Sequence, residues 1–188
     1  KLSGLSLKVI KFNHYNFSDL EEGDMPEKVI GSKYNDKYYG HYENDKLYGR
    51  KGNDKLYGGE GHDKLYGGKG NDKLYGRDGE WGGDPGTNKL YGGKGNDLLV
   101  AEGVNDQLTG GKGKDIFNLV NADNYAIIKD FKDKKDKIYI GSLNTTIKNF
   151  KNGYAYIYAY YSGSDSESLI AKVKGAAGDL SKKGSYIV

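Results

Sequence analysis

An aspartate recurs at intervals of nine residues through the middle of the chain. The first five members of this series are Asp36, Asp45, Asp54, Asp63 and Asp72, and each follows a short stretch that begins with glycine. Carboxylate oxygens are ligands for hard cations, and glycine-rich turns expose backbone carbonyl oxygens beside them. Oxygen ligands on flexible turns favour calcium over magnesium. The spacing therefore predicts a row of calcium sites.

Other kinds of site lack the residues that they need. The chain has no cysteine, and its three histidines, His14, His41 and His62, are scattered, which argues against zinc. It contains no His-Glu-x-x-His, Gly-x-Ser-x-Gly or phosphate-binding Gly-x-x-x-x-Gly-Lys-Ser/Thr motif. His62 occupies a turn position that other units fill with Asn, which indicates a solvent-facing residue. We therefore expect no catalysis from this segment.

Nine units occupy residues 31 to 118. Eight have nine residues, and the sixth runs from 76 to 91 with a seven-residue insertion around Trp81. Position eight of the unit is always apolar, and its neighbours are mostly Lys and Tyr, which predicts a short strand with one inward side chain. The position-eight residues are Tyr38, Leu47, Leu56, Leu65, Leu74, Leu90, Leu99, Leu108 and Phe117. One strand and one turn make half a coil, so the repeat predicts an all-β fold, a parallel β-solenoid.

Turns two units apart stack on the same edge of such a solenoid, about one strand spacing from each other. One edge collects Asp36, Asp54, Asp72, Asp97 and Asp115, and the other collects Asp45, Asp63, Asn88 and Asp106. Carboxylates about 5 Å apart repel by roughly 0.8 kcal/mol per pair in water, and by about 3 kcal/mol at an effective dielectric constant near 20. The coil therefore opposes its own formation unless cations lie between the turns.

The units resemble the glycine- and aspartate-rich nonapeptides of RTX (repeats in toxin) proteins, and the resemblance covers residues 31 to 118. It implies a calcium-binding parallel β-roll. It also implies that each ion lies between two turns that are two units apart. The earlier turn supplies the backbone carbonyls of positions two and four and its Asp, and the later turn supplies the carbonyls of positions one and three and its Asp. One implied site combines Arg50, Gly52 and Asp54 with Gly67, Lys69 and Asp72, and another combines Gly68, Gly70 and Asp72 with Gly92, Lys94 and Asp97.

The same scheme gives the complete set of expected metal ligands. They are Asp36, Asp45, Arg50, Gly52, Asp54, Gly58, Gly59, Glu60, Gly61, Asp63, Gly67, Gly68, Lys69, Gly70, Asp72, Gly92, Gly93, Lys94, Gly95, Asp97, Asp106, Gly110, Lys112 and Asp115. The glycine at position four is replaced in three units, by Tyr34, Glu43 and Val104, and bulky residues resist the left-handed backbone there. The first, second and eighth units are therefore expected to give weaker sites. The stacking gives a ceiling of about seven ions, and we expect about four to six.

The ends of the chain lack the repeat. Residues 1 to 30 alternate weakly and predict capping strands, and residues 119 to 188 predict a C-terminal antiparallel β cap from segments 125–143, 154–161 and 169–173. The cap resembles the segment that follows the repeats in secreted RTX proteases and lipases, and residues 185 to 188 resemble a C-terminus that type I secretion machinery recognises. The resemblance implies a secreted, bacterial, monomeric module that folds on binding calcium after export. It would be the C-terminal folding and secretion domain of a larger toxin, exoenzyme or surface protein.

Composition fits this interpretation. The 188 residues include 30 glycines and only 36% hydrophobic residues, which disfavours long helices and a large core. Without a recognisable motif, the net charge of +3 does not predict nucleic-acid binding, and no apolar run is long enough for a membrane span. The lysine-rich stretch 132–137 is typical of a solvated turn, although Asp130, Asp133 and Asp136 could hold an additional ion. Because the sequence opens at Lys1 without Met, we expect a segment of a longer chain.

Tyrosine at position nine allows a second interpretation. Tyr39, Tyr48, Tyr57, Tyr66, Tyr75 and Tyr91 point outward with the lysines at position seven. Such a face could make the chain an adhesion or glycan-binding module, whereas cross-strand tyrosine stacks also stabilise a sheet by themselves. Trp81 is either a lid on the solenoid or an exposed anchor, and the sequence leaves both open.

Overall fold

The computed structural model describes residues 9–11, 28–40, 42–77, 86–119, 125–132, 135–141, 143–151, 153–160, 167–176 and 180–188. In these residues the chain is all β, with eighteen strands in two sheets. None of them belongs to a helix long and apolar enough to cross a bilayer. Trp81 and most of its insertion lie outside the described residues.

The larger sheet contains ten strands. They are β1 Val9–Lys11, β2 Lys28–Ile30, β4 Lys46–Lys51, β6 Lys64–Lys69, β8 Lys89–Lys94, β10 Gln107–Lys112, β12 Ala126–Ile128, β14 Asn144–Lys151, β15 Tyr154–Tyr160 and β16 Glu167–Lys174. Their order in the sheet is β1-β2-β4-β6-β8-β10-β12-β16-β15-β14. The strands from β1 to β16 in this order are parallel, and β16, β15 and β14 are antiparallel.

The smaller sheet contains eight strands. They are β3 Lys37–Tyr39, β5 Lys55–Tyr57, β7 Lys73–Tyr75, β9 Leu98–Val100, β11 Ile116–Asn118, β13 Lys137–Tyr139, β17 Lys182–Lys183 and β18 Tyr186–Ile187. Their order is β17-β18-β13-β11-β9-β7-β5-β3, and the strands from β3 to β13 are parallel. Successive repeat units thus alternate between the sheets and form a solenoid of about five turns, as the sequence predicts.

Two columns of apolar side chains, one from each sheet, fill the space between the sheets. Leu47 pairs with Leu65, and Leu65 pairs with Leu90, so identical residues lie above one another from coil to coil. All nine position-eight side chains are at most 1% exposed, which confirms them as the core. Burying one leucine contributes about 1.5–3 kcal/mol. Most strands of the repeat region supply only one buried apolar side chain, although β9 also buries Val100.

The solenoid continues beyond the last repeat unit. Strand β12 pairs in parallel with β10, and β13 pairs in parallel with β11. The predicted antiparallel arrangement of residues 125–143 is therefore wrong for β12, and it holds for β13 only on the side that faces β18. The reason is visible in the sequence, because residues 136 to 139 repeat the Asp-Lys-Leu-Tyr pattern as Asp-Lys-Ile-Tyr. Ile138 consequently enters the core column of the smaller sheet and is fully buried.

Antiparallel strands occur further along the chain, where the sequence predicts them. Strands β14, β15 and β16 extend the larger sheet, and β18 pairs antiparallel with β13 in the smaller one. The C-terminal residues are part of this cap, because Ile187 is buried and the Val188 N–H donates to the Ser181 carbonyl at 3.1 Å.

Tyrosine rings form two stacked rows on the outside of the solenoid. Tyr57 stacks on Tyr39 and on Tyr75, each with ring centroids 4.6 Å apart. On the other sheet, Tyr66 stacks on Tyr48 and on Tyr91 at 4.7 and 4.8 Å. Each ring packs on its neighbour in the next coil, which is the contact that the sheet-stabilising interpretation predicts.

Candidate metal sites

The aspartates at position six lie in the interior of the solenoid edges. Asp54, Asp63 and Asp72 are 1% exposed and Asp115 is fully buried. Each lies directly before a strand, where the next backbone N–H continues the ladder between coils; the Lys55 N–H, for example, donates to the Asp36 carbonyl at 2.8 Å. The backbone pairing therefore stacks the carboxylates at the strand spacing.

One oxygen of each stacked carboxylate is used within the protein. Asp54 Oδ1 accepts the N–H of Asp36 at 2.8 Å, and Asp72 Oδ1 accepts the N–H of Asp54 at the same distance. The pattern repeats up this edge to Asp115, whose N–H donates to Asp136 Oδ1 at 3.0 Å. Each Oδ1 thus accepts a hydrogen bond from the backbone of the preceding coil.

The second oxygen is buried without a hydrogen-bond donor in five of these side chains. Among the described residues these oxygens are Oδ2 of Asp54, Asp63, Asp72, Asp97 and Asp115. A buried acceptor without a partner costs about 1–3 kcal/mol, and more when it is charged. A bound cation would remove this cost.

A carbonyl of the next coil converges on the same point as Oδ2. A Cβ atom added to Gly49 would lie 2.2 Å from Asp54 Oδ2 and 2.7 Å from the Gly67 carbonyl oxygen. A Cβ added to Gly92 would likewise lie 2.4 Å from Asp97 Oδ2. Glycine at position one therefore leaves the space in which these oxygens face each other.

The carbonyls of positions two and four project from the earlier turn toward the later one. A Cβ added to Gly68 would lie 2.4 Å from the Arg50 carbonyl oxygen, and one added to Gly70 would lie 1.8 Å from that of Gly52. Gly70 has a φ of +128°, a conformation that L side chains rarely adopt. The close approach and the backbone angle both require glycine at this position.

The third-position carbonyl faces the earlier turn and already has a donor. The Lys69 carbonyl accepts the N–H of Gly52 at 3.0 Å, and the Lys94 carbonyl accepts that of Gly70 at 2.8 Å. In the described residues, no three His, Cys, Asp or Glu side chains are grouped to hold a metal ion. A cation between the turns would therefore take most of its ligands from backbone carbonyls, and the donor set fits calcium.

Burial makes these carboxylates hard to ionise without a cation. It raises the pKa of Asp54, Asp63 and Asp97 to about 7, against the lowering effect of the N–H that each accepts. Neighbouring aspartates on the same edge raise these pKa values further. The pKa of Asp115 rises to about 6, again mainly through burial.

Two turns satisfy their carboxylates internally. Asp36 Oδ2 accepts the N–H of Ser32 at 2.7 Å and its hydroxyl at 3.0 Å. Asp106 Oδ2 accepts the N–H groups of Gly103 at 2.9 Å and Glu102 at 3.1 Å. These turns belong to the first and eighth units, in which the sequence predicts weaker sites, and neither leaves the second oxygen unpartnered.

Asn88 replaces the aspartate in the sixth unit with a neutral, hydrogen-bonded side chain. Its Oδ1 accepts the N–H of Asp63 at 2.8 Å, so the amide nitrogen must face the other way. Nδ2 donates to the Gly76 carbonyl at 3.1 Å, at the position where other units hold an unpartnered Oδ2. The side chain continues the ladder but offers no free oxygen to a metal.

The asparagines at position five form a second ladder that the sequence analysis did not identify. Asn35 Oδ1 accepts the N–H of Asn53, and Asn53 Oδ1 accepts that of Asn71, both at 2.7 Å. His62 holds the same position and is exposed, and its Nδ1 accepts the N–H of Thr87 at 2.7 Å. The regular recurrence of Asn was the available signal.

The lysine-rich stretch differs from the solvated turn that the sequence favoured. Asp136 is 1% exposed and continues the aspartate ladder, because its Oδ2 accepts the N–H of Lys132 at 2.9 Å while Oδ1 accepts that of Asp115. Asp133 lies outside the described residues. The interpretation as a solvated turn is thus wrong for Asp136.

The repeat region of the chain matches a family of known proteins. The family model of the RTX calcium-binding nonapeptide repeat (4 copies) matches residues 30–65, 57–80 and 82–117. The solution structure of the AlgE6R3 subunit from the Azotobacter vinelandii mannuronan C5-epimerase is similar over 77% of this chain and 71% of that chain, at 22% identity and a TM-score of 0.25. No curated protein matches the chain. The family match and the stacked aspartate turns together show that residues 30–80 and 82–117 consist of RTX calcium-binding nonapeptide repeats.

Proposed function

We propose that this chain is the calcium-triggered C-terminal folding module of a larger bacterial protein that is exported through a type I channel. Its role in this proposal is structural rather than catalytic, and it acts as an extracellular monomer. The observation that carries the proposal is the set of five buried Oδ2 atoms without a donor. These atoms make the folded chain unfavourable without cations and favourable with them.

The energy available from calcium is large enough for such a switch. An ion present at about ten times its dissociation constant contributes about 1.4 kcal/mol per site. About five sites would contribute roughly 7 kcal/mol, which is comparable to the whole stability of a domain. The small core supports this balance, since most repeat units bury a single apolar side chain and only the seventh and eighth bury a second one among the described residues, Val100 and Ala101.

Calcium concentration would set where folding occurs. Extracellular calcium modules bind with dissociation constants of about 10⁻⁴ to 10⁻³ M, so such sites stay empty inside a cell and fill outside it. The C-terminal residues support export before folding, because Ile187 is buried in the folded cap and accessible only in an unfolded chain. Secretion machinery that recognises these residues would therefore act on the unfolded protein.

Far-UV circular dichroism of the chain in chelator, magnesium and calcium tests the folding role. We expect little strand signal in chelator, a cooperative gain at millimolar calcium and a poor response to magnesium, which loses its water shell reluctantly. The same strand content with and without chelator would exclude the folding role. Export by a type I system of a chain that lacks residues 119 to 188 would exclude the secretion role alone.

The tyrosine rows favour one second candidate, a glycan-binding or adhesion module. Tyr39, Tyr57 and Tyr75 are partly exposed, and Lys37 lies 4.8 Å from the Tyr39 ring centroid. Binding to a polysaccharide that is lost in Tyr57→Ala, at an unchanged calcium midpoint, would support this candidate. Unchanged binding in that variant would exclude the tyrosine row as the binding face.

A further inference from the structure

The aspartate ladder ends in a turn that is not a repeat unit. Asp130, Lys132 and Asp136 contact the turn 110–115, and we call the space between these three residues and that turn the terminal gap. Asp130 closes one side of this gap, since its two carboxylate oxygens accept the N–H groups of Gly110 and Gly111, both at 2.8 Å. Asp136 closes the other side through its bond to the Asp115 N–H.

Lys132 directs its side chain into the terminal gap. Its Nζ donates a hydrogen bond to the Gly111 carbonyl and lies 3.8 Å from Asp130 Oδ2. Gly111 is the second residue of its unit, so its carbonyl is equivalent to the Gly68 carbonyl, which projects toward Gly93 in the next coil. In the terminal gap this carbonyl meets an ammonium group instead.

The charge of Lys132 balances the carboxylates around it. The ammonium interacts favourably with Asp115 and Asp136 and forms an ion pair with Asp130. Asp115 is the last member of the repeat ladder, and its Oδ2 has no hydrogen-bond donor among the described residues. The turn that follows it thus supplies a cation where the preceding turns supply only oxygen ligands.

We propose that Lys132 provides the positive charge of the terminal gap in the place where the repeat turns would bind a calcium ion. The gap then closes without metal, and β12 and β13 are held on the last repeat coil by the protein's own cation. This inference rests on the proposed calcium-dependent folding. It assigns Lys132 a role that the exposed Lys135 does not share, since the contact of Lys135 within the described part of the chain is a backbone bond from its N–H to the Lys132 carbonyl.

Calcium stoichiometry tests this assignment. Equilibrium dialysis at saturating calcium would compare the wild-type chain with Lys132→Ala, Lys132→Gln, Lys132→Arg and the control Lys135→Ala. Removing the ammonium uncovers the Gly111 carbonyl and Asp130 Oδ2, and it leaves the negative charges of Asp115 and Asp136 without the nearby cation. We therefore expect the Ala and Gln variants at position 132 to bind one more ion than wild type. The Arg variant and the position-135 control should bind the wild-type number.

The outcomes separate this inference from the proposed function. A count in both neutral variants that equals or falls below the wild-type count overturns the role of Lys132, even if the wild-type chain binds calcium and folds with it. An additional ion in Lys135→Ala overturns it as well, because a general loss of positive charge would then explain the gain. A wild-type chain that binds no calcium overturns the proposed function itself.

Discussion

Asp72 accepts the backbone N–H of Asp54 through Oδ1 at 2.8 Å, while its Oδ2 is buried without a donor. The two oxygens of one carboxylate therefore act differently. Oδ1 fixes the register between coils that are eighteen residues apart, and Oδ2 makes that register unfavourable until a cation binds. In the proposed function, this division couples the order of the backbone to calcium binding.

Removing one carboxylate charge should affect calcium dependence according to its place in the ladder. In Asp72→Asn the side-chain oxygen can still accept the Asp54 N–H, but the charge is lost between two repeat turns. We expect the calcium midpoint to rise more in Asp72→Asn than in Asp115→Asn. Asp72 lies between two pairs of stacked repeat turns, whereas Asp115 lies between one such pair and the terminal gap, which contains Lys132. Losing an ion at about ten times its dissociation constant removes about 1.4 kcal/mol. Calcium titrations that give equal midpoint shifts would contradict the ladder.

Acid should partly replace calcium. Burial raises the pKa of Asp54, Asp63 and Asp97 to about 7 in the metal-free fold, above the ordinary value of 3.8. Such groups contribute stability that is fully present below about pH 4 and is lost as pH rises through about 7, because the folded chain binds more protons. We expect more strand signal in chelator at about pH 5 than at about pH 8. Equal or weaker signal at the lower pH would contradict these raised pKa values.

The glycine at position four of the unit should be required for folding. A Cβ at Gly70 would lie 1.8 Å from the Gly52 carbonyl oxygen, at a φ of +128°. We expect Gly70→Ala to prevent cooperative folding even in excess calcium. Gly153 is the matched control, since it also has a positive φ of +76° but a Cβ there meets no atom within 4 Å. Gly153→Ala should cost only about 1 kcal/mol, from backbone strain alone. Similar thermal unfolding of both variants would refute the close packing of the turns.

The repeat itself determined most of what could be predicted. One apolar residue at position eight and one aspartate at position six fix the parallel solenoid, its core columns and the two edges. Position five was overlooked, although its asparagines recur as regularly. Residues 136 to 139 also follow the pattern. The extra coil was not predicted because its core residues, Ile128 and Ile138, lie further in sequence from their partners Leu108 and Phe117 than two regular units would place them.

The group that occupies the space between two stacked turns could not be predicted from the sequence, because it depends on three-dimensional contacts. The sequence shows Asn88 in place of Asp, but only the bond from Asp63 fixes which way its amide points. Lys132 is one of several lysines in its stretch, and nothing in the spacing distinguishes it from Lys135. Its position follows from Asp130, which holds the preceding glycine turn.

The strands after residue 118 should be required for folding of the repeats. They cover the last coil, where Phe131 packs against Phe117 with ring centroids 6.3 Å apart and β12 and β13 extend both sheets. A chain that ends at Asn118 would expose this coil, so we expect poor folding even with ample calcium. Cooperative folding of that fragment at the calcium midpoint of the full chain would contradict this capping role.

The positions of the calcium ions in a crystal test whether unpartnered carboxylate oxygens determine where the ions bind. Anomalous difference density from crystals grown in calcium would locate each ion between the turns. We expect peaks beside the unpartnered Oδ2 atoms of Asp54, Asp63, Asp72 and Asp97, no peak beside Oδ2 of Asp115, where Lys132 supplies the positive charge, and no peak between Asn88 and Asp106. A peak between Asn88 and Asp106, or calcium absent from the four expected positions, would contradict the claim that unpartnered carboxylate oxygens place the ions.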